Sequence, residues 1–470
     1  MSAPATTEKK YLKWYQKLAY GSGDLASNCS YGLVSSFVLL YLTGTLGLDS
    51  AIIGSLMLAS KVLDGISDVI FGTLIDRTHS KLGKARPWML FGQVGVSLCL
   101  FLLFAIPAGS TTIQYIYFFI VYTALNAVFY TANGIAYSSL VALITKNNNE
   151  RVQLGSFRFM FAVVTNIFMG FAVTGMVEKF GSGAAGWRTT ALIFAIVGLV
   201  VNTISCLAVK ELPEEELSDN TSEAAEEGKA VAKEKKHGFA ETAKILIHNK
   251  YYLMILAIYI VYYIMSNLTT GAGVFCATYY WGDGSLLGQF SMMKMFPVII
   301  ALAIAPVLIK KTGSMQKVNF WGYAISSVLG IPMIYFAMQK NLSMFLLFMF
   351  IKGVFAGTLS GSLNALIAEA SGYTTRTTGV HMDGMMYSCS SLGVKVGGGI
   401  GTAAVGWLLK LGGFVGTATV QSESAIRMIF NLYITFPFVI GIIITVLLAF
   451  LDVEKANKKW DAEPQKEAQS

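Results

Sequence analysis

The sequence predicts an all-α membrane protein of twelve transmembrane helices in two six-helix bundles, with both termini cytoplasmic. Three observations predict it. Of the 470 residues, 54% are hydrophobic and only 13% charged, about half the charged share of an ordinary soluble protein, and the mean hydropathy is +0.58. The apolar runs reach the roughly 20 residues a helix needs to cross a bilayer. A charged interval near the middle of the chain separates six such runs from six more.

The runs lie at about 25–46, 50–75, 88–107, 112–144, 154–178 and 187–210, then 250–281, 286–309, 318–338, 341–370, 379–411 and 428–451. Between the sets, ELPEEELSDNTSEAAEEGKAVAKEKKH is charged and nearly free of large apolar side chains, the composition of a linker that cannot build a core. The expected organisation is an N-terminal bundle over 1–210, a cytoplasmic linker over 211–249, a C-terminal bundle over 250–451 and a tail over 452–470.

Loop charge sets the orientation. DRTHSKLGKARP after the second run, TKNNNER after the fourth and KKTGSMQK after the eighth are basic, as are the N-terminus and KANKK in the tail. GLDS, AGSTTIQ and WGDGS on the opposite side carry no Lys or Arg. The positive-inside rule then puts both termini in the cytoplasm, as an even number of spans requires. The expected location is the plasma membrane (the bacterial inner membrane), with multiple passes. The net charge of +8 follows from these loops and does not indicate nucleic acid. MSAPATTEKKYLKWYQK lacks an apolar signal core, so the first span acts as its own insertion signal. The five cysteines, Cys29, Cys99, Cys206, Cys276 and Cys389, fall in apolar runs without CxxC spacing and read as small buried hydrophobes.

The halves echo one another. Ser139–Thr145 (SLVALIT) and Ala368-terminated SLNALIA from Ser362 agree at five of seven positions, and Gly134 and Gly357 keep the same offset of 223 residues. The match falls in the fourth span of each half, as duplicated transporter halves require. Six plus six spans about a cytoplasmic linker is the layout of the major facilitator superfamily. In the eleventh span, GVKVGGGIGTAAVG places small residues at the spacing of tight helix packing.

Charges at bilayer depth cost about 2.5–3.5 kcal/mol each on insertion scales, so each needs a reason. They are Asp24 in span 1; Lys61, Asp64 and Asp68 in span 2; Arg158 in span 5; and Lys294, Lys352 and Lys395 in spans 8, 10 and 11. Lys61, Asp64 and Asp68 share a helix face at spacings of three and four, with Lys61 placed to pair with Asp64. Two carboxylates one turn apart in low dielectric do not both stay charged without a cation nearby. The site takes a proton or a hard cation, for which Ser67 and Thr131 offer further oxygens; the alternative is a structural ion-pair network. The 22 Tyr and 7 Trp fit sugar stacking and interface belts alike.

YGSGD (20–24), KVLDGISDVIFGTLIDRTHSKLGKARP (61–87), TKNNNERVQLGSFR (145–158) and HMDGMMYSCSSLGVKVGGGIG (381–401) resemble the glycoside–pentoside–hexuronide:cation symporter family, over nearly all twelve spans. The resemblance implies that Asp64 and Asp68 are paired cation-binding aspartates, with Thr131 an added oxygen and Ser67 where the family's galactoside carriers have asparagine. It implies that Asp24 and Arg158 bind sugar from the first half and Lys395 from the second, with Ser391 one turn before Lys395. Gly134 stands in place of a second sugar-binding aspartate, Ser138 in place of a stacking tryptophan and Gly23 in place of a lysine, so galactoside specificity does not carry over. Loss of an acid beside Arg158, Lys352 and Lys395 favours an anionic sugar such as a hexuronide or glucuronide.

The expected function is thus secondary active symport of a sugar or glycoside with Na+ or H+ by alternating access, the sugar lying between the bundles. Arg77, Lys84 and Arg86 are expected to form a cytoplasmic gate. The expected partners are a small sugar and the lipid bilayer, the chain a monomer without a resident cofactor. A lipid or lysophospholipid carrier of the same fold is the alternative, and a non-transporting sensor a remoter one. An enzyme is not expected: acids four apart on one helix cannot flank a glycosidic bond from opposite sides, and no metal, nucleophile or phosphate-loop motif appears in the sequence.

Overall fold

The computed structural model describes residues 9–213, 245–378, 383–418 and 420–467. All regular structure among them is helical. Helices α1 (Trp14–Gly21) and α2 (Gly23–Leu40) are followed by α3 (Ser50–Asp76), α4 (Arg86–Leu103), α5 (Thr111–Thr123), α6 (Thr131–Ile144), α7 (Asn148–Lys179) and α8 (Gly183–Leu207). The second half comprises α9 (Lys250–Phe275), α10 (Leu286–Thr312), α11 (Met315–Met338), α12 (Leu342–Thr378), α13 (Asp383–Leu411), α14 (Glu423–Phe430), α15 (Phe436–Phe450) and α16 (Val453–Glu467). Eleven helical stretches among the described residues are long and apolar enough to cross a membrane. Helix α3, 27 residues long, is not among them; it carries Lys61, Asp64 and Asp68. Residues 214–244 of the expected linker, and His381 and Met382 of the fourth family-like motif, lie outside the described residues.

Helix starts follow side-chain capping, in which a short polar side chain accepts from the unpaired N–H groups of the first turn. Asp49, Ser110, Asn147, Asn249, Ser314 and Ser422 cap α3, α5, α7, α9, α11 and α14 in this way. Four π-helical turns interrupt the α-helical pattern. Tyr41–Thr45 follows α2 and Cys276–Tyr280 follows α9, the first span of each half. Ala124–Tyr130 joins α5 to α6, and Asn431–Thr435 joins α14 to α15. The first expected span begins earlier than hydropathy suggested, because α1 carries the helical path back to Trp14.

The described residues fall into two units. One lies within Met1–Glu223 and adds Gly284–Gly288 and Val415–Gln421; the other takes the remainder. In the first, α4 packs on α8 and α2 on both α7 and α8. Glu211, beyond the end of α8, accepts the backbone N–H groups of Lys84 (2.7 Å), Ala85 (2.9 Å) and Arg86 (3.1 Å), so a carboxylate closes the start of α4. An anion there is favoured by the helix dipole. Glu150 is a second hub: it accepts from Tyr11 N, Leu12 N and Thr145 Oγ1 and pairs with Lys17 at 3.0 Å.

In the second unit α9 packs along α13, and α11 on α12. A Cβ at Gly393, Gly397 or Gly401 would lie 2.3–2.6 Å from Tyr259 Cβ, Ile260 O or Ile264 O respectively. The glycine run is therefore a flat stripe against the α9 backbone, the tight packing expected from its spacing. Glu454, after α15, accepts from Ser314 Oγ and from Gln316 N at 2.9 Å, at the start of α11. Glu211 and Glu454 thus do one job in each half: an acid beyond the sixth span caps the start of the third. All five cysteines are buried free thiols.

Candidate functional site

Helix α3 presents Lys61, Asp64 and Asp68 within an apolar sequence. Asp64 is buried, and so is Thr131 opposite it on α6. Thr131 Oγ1 donates to Asp64 Oδ1 at 2.7 Å, and Lys61 Nζ approaches Asp64 Oδ2 at 3.5 Å. Ser67 Oγ donates to the Asp64 backbone carbonyl (2.9 Å), so its hydroxyl hydrogen is used within α3. Asp68 is part-buried one turn beyond Asp64. Among the described residues no cluster of three or more His, Cys, Asp and Glu could hold a metal ion. The oxygens that the structure gathers at Asp64 are the Thr131 hydroxyl and its own two carboxylate oxygens, with Asp68 one turn on; oxygen donors of this kind suit a hard cation or a proton.

The π-turn explains where Thr131 sits. It precedes α6 directly, and both the Thr131 N–H and its Oγ1 reach the Asn126 carbonyl, the latter at 2.9 Å. Such turns insert a residue into the helix and recur at functional sites.

Asp24 and Arg158 meet across α2 and α7, with Nε to Oδ2 at 2.6 Å. The Arg158 guanidinium also lies 4.1 Å from the centre of the Tyr137 ring, a cation–π contact. Tyr137 is itself fixed, since its hydroxyl donates to the Tyr20 carbonyl at 2.8 Å and Ser205 Oγ donates to the same oxygen at 2.8 Å. On α2, Asn28 follows Asp24 by one turn and accepts from Asn166 Nδ2 at 2.9 Å. Arg158 and Asp24 retain side-chain exposures of 24% and 18%, so the pair remains open to a polar ligand.

Tyr31, on the Asp24–Asn28 face of α2, stacks on Tyr130 with ring centres 5.7 Å apart, and Tyr130 adjoins Thr131.

Gly134 has open space where a Cβ would point, with nothing within 4 Å, and Ser138 one turn on is exposed. Ser391 is exposed and Lys395 part-buried, both on α13 in the second unit. Of the three residues expected to form the gate, Arg77 is exposed and Lys84 part-buried. Arg86 is buried, donating through Nε to the Cys206 carbonyl (3.2 Å) and through a terminal nitrogen to the Leu82 carbonyl (3.3 Å). It is committed within its own unit. Tyr137, Asn28, Asn166 and the Tyr31–Tyr130 stack escaped the sequence reading. Only the positions of Asn28 and Tyr31, four and seven residues after Asp24, could have signalled them.

A family model described as MFS/sugar transport protein matches residues 19–455. An isoprimeverose transporter of Lactiplantibacillus pentosus is 26% identical over 478 residues, covering all of this chain and 96% of that protein. A glucuronide carrier protein homolog of Escherichia coli (strain K12) is 23% identical over 408 residues, 86% of this chain and 85% of that one. Among solved structures, a D-xylose-proton symporter superposes with a TM-score of 0.64 at 12% identity, over 94% of this chain and 98% of that one. A bacterial homolog of the lysosomal transporter Spinster gives 0.68 at 13% identity, over 95% and 98%. At these identities the structures show the fold alone. The molecule is a multi-pass membrane transporter and not an enzyme. It belongs to the MFS/sugar transport protein family, within the glycoside–pentoside–hexuronide:cation symporters of the major facilitator superfamily.

Proposed function

We propose that the protein is a secondary active symporter that takes up a sugar or glycoside with Na+ or H+ by alternating access, through twelve spans with both termini cytoplasmic. The observation that carries the coupling is the pair of contacts on Asp64: a hydroxyl hydrogen bond from Thr131 at 2.7 Å and a lysine at 3.5 Å. A buried carboxylate with so close a cationic neighbour is a site where one positive charge can replace another. The cation binds at Asp64 and Asp68, with Thr131 as a further oxygen, and acts on Asp24 through the tyrosine stack. The sugar hydroxyls bind Asp24 and Arg158; the family resemblance alone adds Lys395. Gly134 leaves open space where an acid would add negative charge, which favours a substrate carrying a carboxylate, a hexuronide or glucuronide. The related glucuronide carrier homolog supports that choice, and the isoprimeverose transporter supports a neutral pentoside as the comparison substrate.

The test is uptake of labelled glucuronide, xyloside and galactoside into proteoliposomes under imposed sodium or proton gradients. Wild type is expected to concentrate substrate under one gradient. Asp68→Asn is expected to equilibrate substrate at most, without concentrating it. Concentration by the variant equal to wild type would remove Asp68 from the coupling site.

A further inference from the structure

The second unit carries a half-open cavity of about 180 Å³ onto which two lysines open, Lys294 from α10 and Lys352 from α12. No aspartate or glutamate lines it. Lys294 Nζ is held by two hydroxyls of α9, Thr269 Oγ1 at 3.3 Å and Thr270 Oγ1 at 3.1 Å. Lys352 has no hydrogen bond or ion pair among the described residues. Met265, Met293, Met349 and Phe345 supply much of the remaining wall.

Snorkelling does not account for these lysines. Lys294 is eight residues into α10 and Lys352 ten residues into α12. At 1.5 Å per residue they stand about 12 and 15 Å from the nearer helix end, farther than a four-carbon stem reaches. Two ammonium groups on one largely apolar cavity lose hydration. Buried charges are normally paired, yet the wall offers hydroxyls and thioethers and no counter-charge. A pocket of apolar wall with a few convergent polar groups is the usual form of a small-molecule site. What is missing is an anion.

We propose that this cavity binds the carboxylate end of an organic anion, with Lys352 as its ion-pair partner. Lys294, oriented by Thr269 and Thr270, supplies the second positive charge, and the methionine and phenylalanine wall takes the apolar body next to the carboxylate. Methionine suits that wall because its flexible thioether adapts to different shapes. The site is opposite in sign to the Asp64–Asp68 site and lies in the other unit. It does not depend on the symport reading, because occupancy requires no ion gradient.

The experiment is equilibrium dialysis of labelled benzoate at pH 7 against the purified full-length chain in detergent, with benzyl alcohol as neutral analogue and chloride as inorganic competitor. Wild type is expected to bind benzoate saturably at one site, with benzyl alcohol failing to compete and chloride competing at least tenfold more weakly. Lys352→Met is expected to weaken benzoate at least tenfold and Lys294→Met to weaken it in the same sense, while Lys352→Arg stays within about threefold of wild type. Unliganded Lys352→Met is expected to melt at or above the wild-type temperature, since an uncompensated buried charge has gone; this separates lost binding from lost fold. The proposal is overturned by unsaturable benzoate binding in wild type, by unchanged affinity in Lys352→Met, or by chloride competing as well as unlabelled benzoate. Asp68→Asn is expected to bind benzoate like wild type, so the two sites fail or stand separately.

Discussion

On the proposed reading, in which Asp64 holds the coupling cation, Lys61 is a competitor for that carboxylate, and replacing it with methionine is expected to tighten cation binding. The contact is 3.5 Å, with side-chain exposures of 19% for Lys61 and 13% for Asp64. At an effective dielectric near 20 the bare Coulomb attraction is about 5 kcal/mol. Desolvation and side-chain ordering cancel much of it, and hydrogen bonds to charged groups retain about 1.5–3 kcal/mol net. An incoming cation must displace that interaction in wild type and meets no such competitor in Lys61→Met. At 1.4 kcal/mol per tenfold, affinity is expected to rise about 10- to 100-fold. Methionine keeps the stem that fills the helix surface, so the Thr131–Asp64 hydrogen bond is expected to survive. The assay is substrate-stimulated fluorescence or uptake titrated with sodium at fixed pH, then across pH without sodium. Tighter binding appears as a lower half-saturating sodium concentration, or as half-maximal uptake at higher pH if the ion is a proton. Unchanged or weaker cation affinity in the variant would refute the competition argument and make Lys61 a structural partner.

Two further outcomes follow from contacts elsewhere in the first unit. Arg158→Lys keeps the charge but loses the planar stack on Tyr137 and the Nε bond to Asp24, so substrate affinity measured by dialysis is expected to fall about tenfold, with the melting temperature little changed. Glu211→Gln removes the charge facing three N–H groups at the start of α4 and turns one of the two accepting oxygens into a donor; a loss of about 1–3 kcal/mol is expected, read as a lower melting temperature in detergent.

The helices were legible because hydropathy and caps are local signals: the expected run at 50–75 and α3 differ by one residue at its end. The Lys61–Asp64 pair was legible for the same reason, its spacing of three being a helix-face property. Asp24 and Arg158 are 134 residues apart, and only the resemblance to the symporter family joined them. Nothing in the sequence announced Tyr137 beside the arginine, which packs on it from a different helix, or the two glutamates that close α4 and α11, whose bonds link residues more than a hundred positions apart. The repeat was visible as sequence but misleading in detail. Gly134 and Gly357 occupy matched positions, yet a Cβ at Gly357 would lie 2.7 Å from Ala301 Cβ while Gly134 faces open space. One is a packing glycine and the other leaves room. Arg86 shows a converse limit: loop charge predicts on which side of a membrane a basic residue lies, not whether its side chain is free to act.

The π-turn at Ala124–Tyr130 makes the candidate cation site a question of phase. Each residue of an α-helix advances the side-chain direction by about 100°, so removing one residue from that turn would swing every later position of the rod by nearly a third of a revolution. Thr131 would leave Asp64, and Gly134 and Ser138 would leave the side they now occupy, with no functional residue altered. Divergence among such carriers can therefore proceed by single-residue indels in this turn, re-indexing a whole helix face at once, where point substitutions would have to change each position separately.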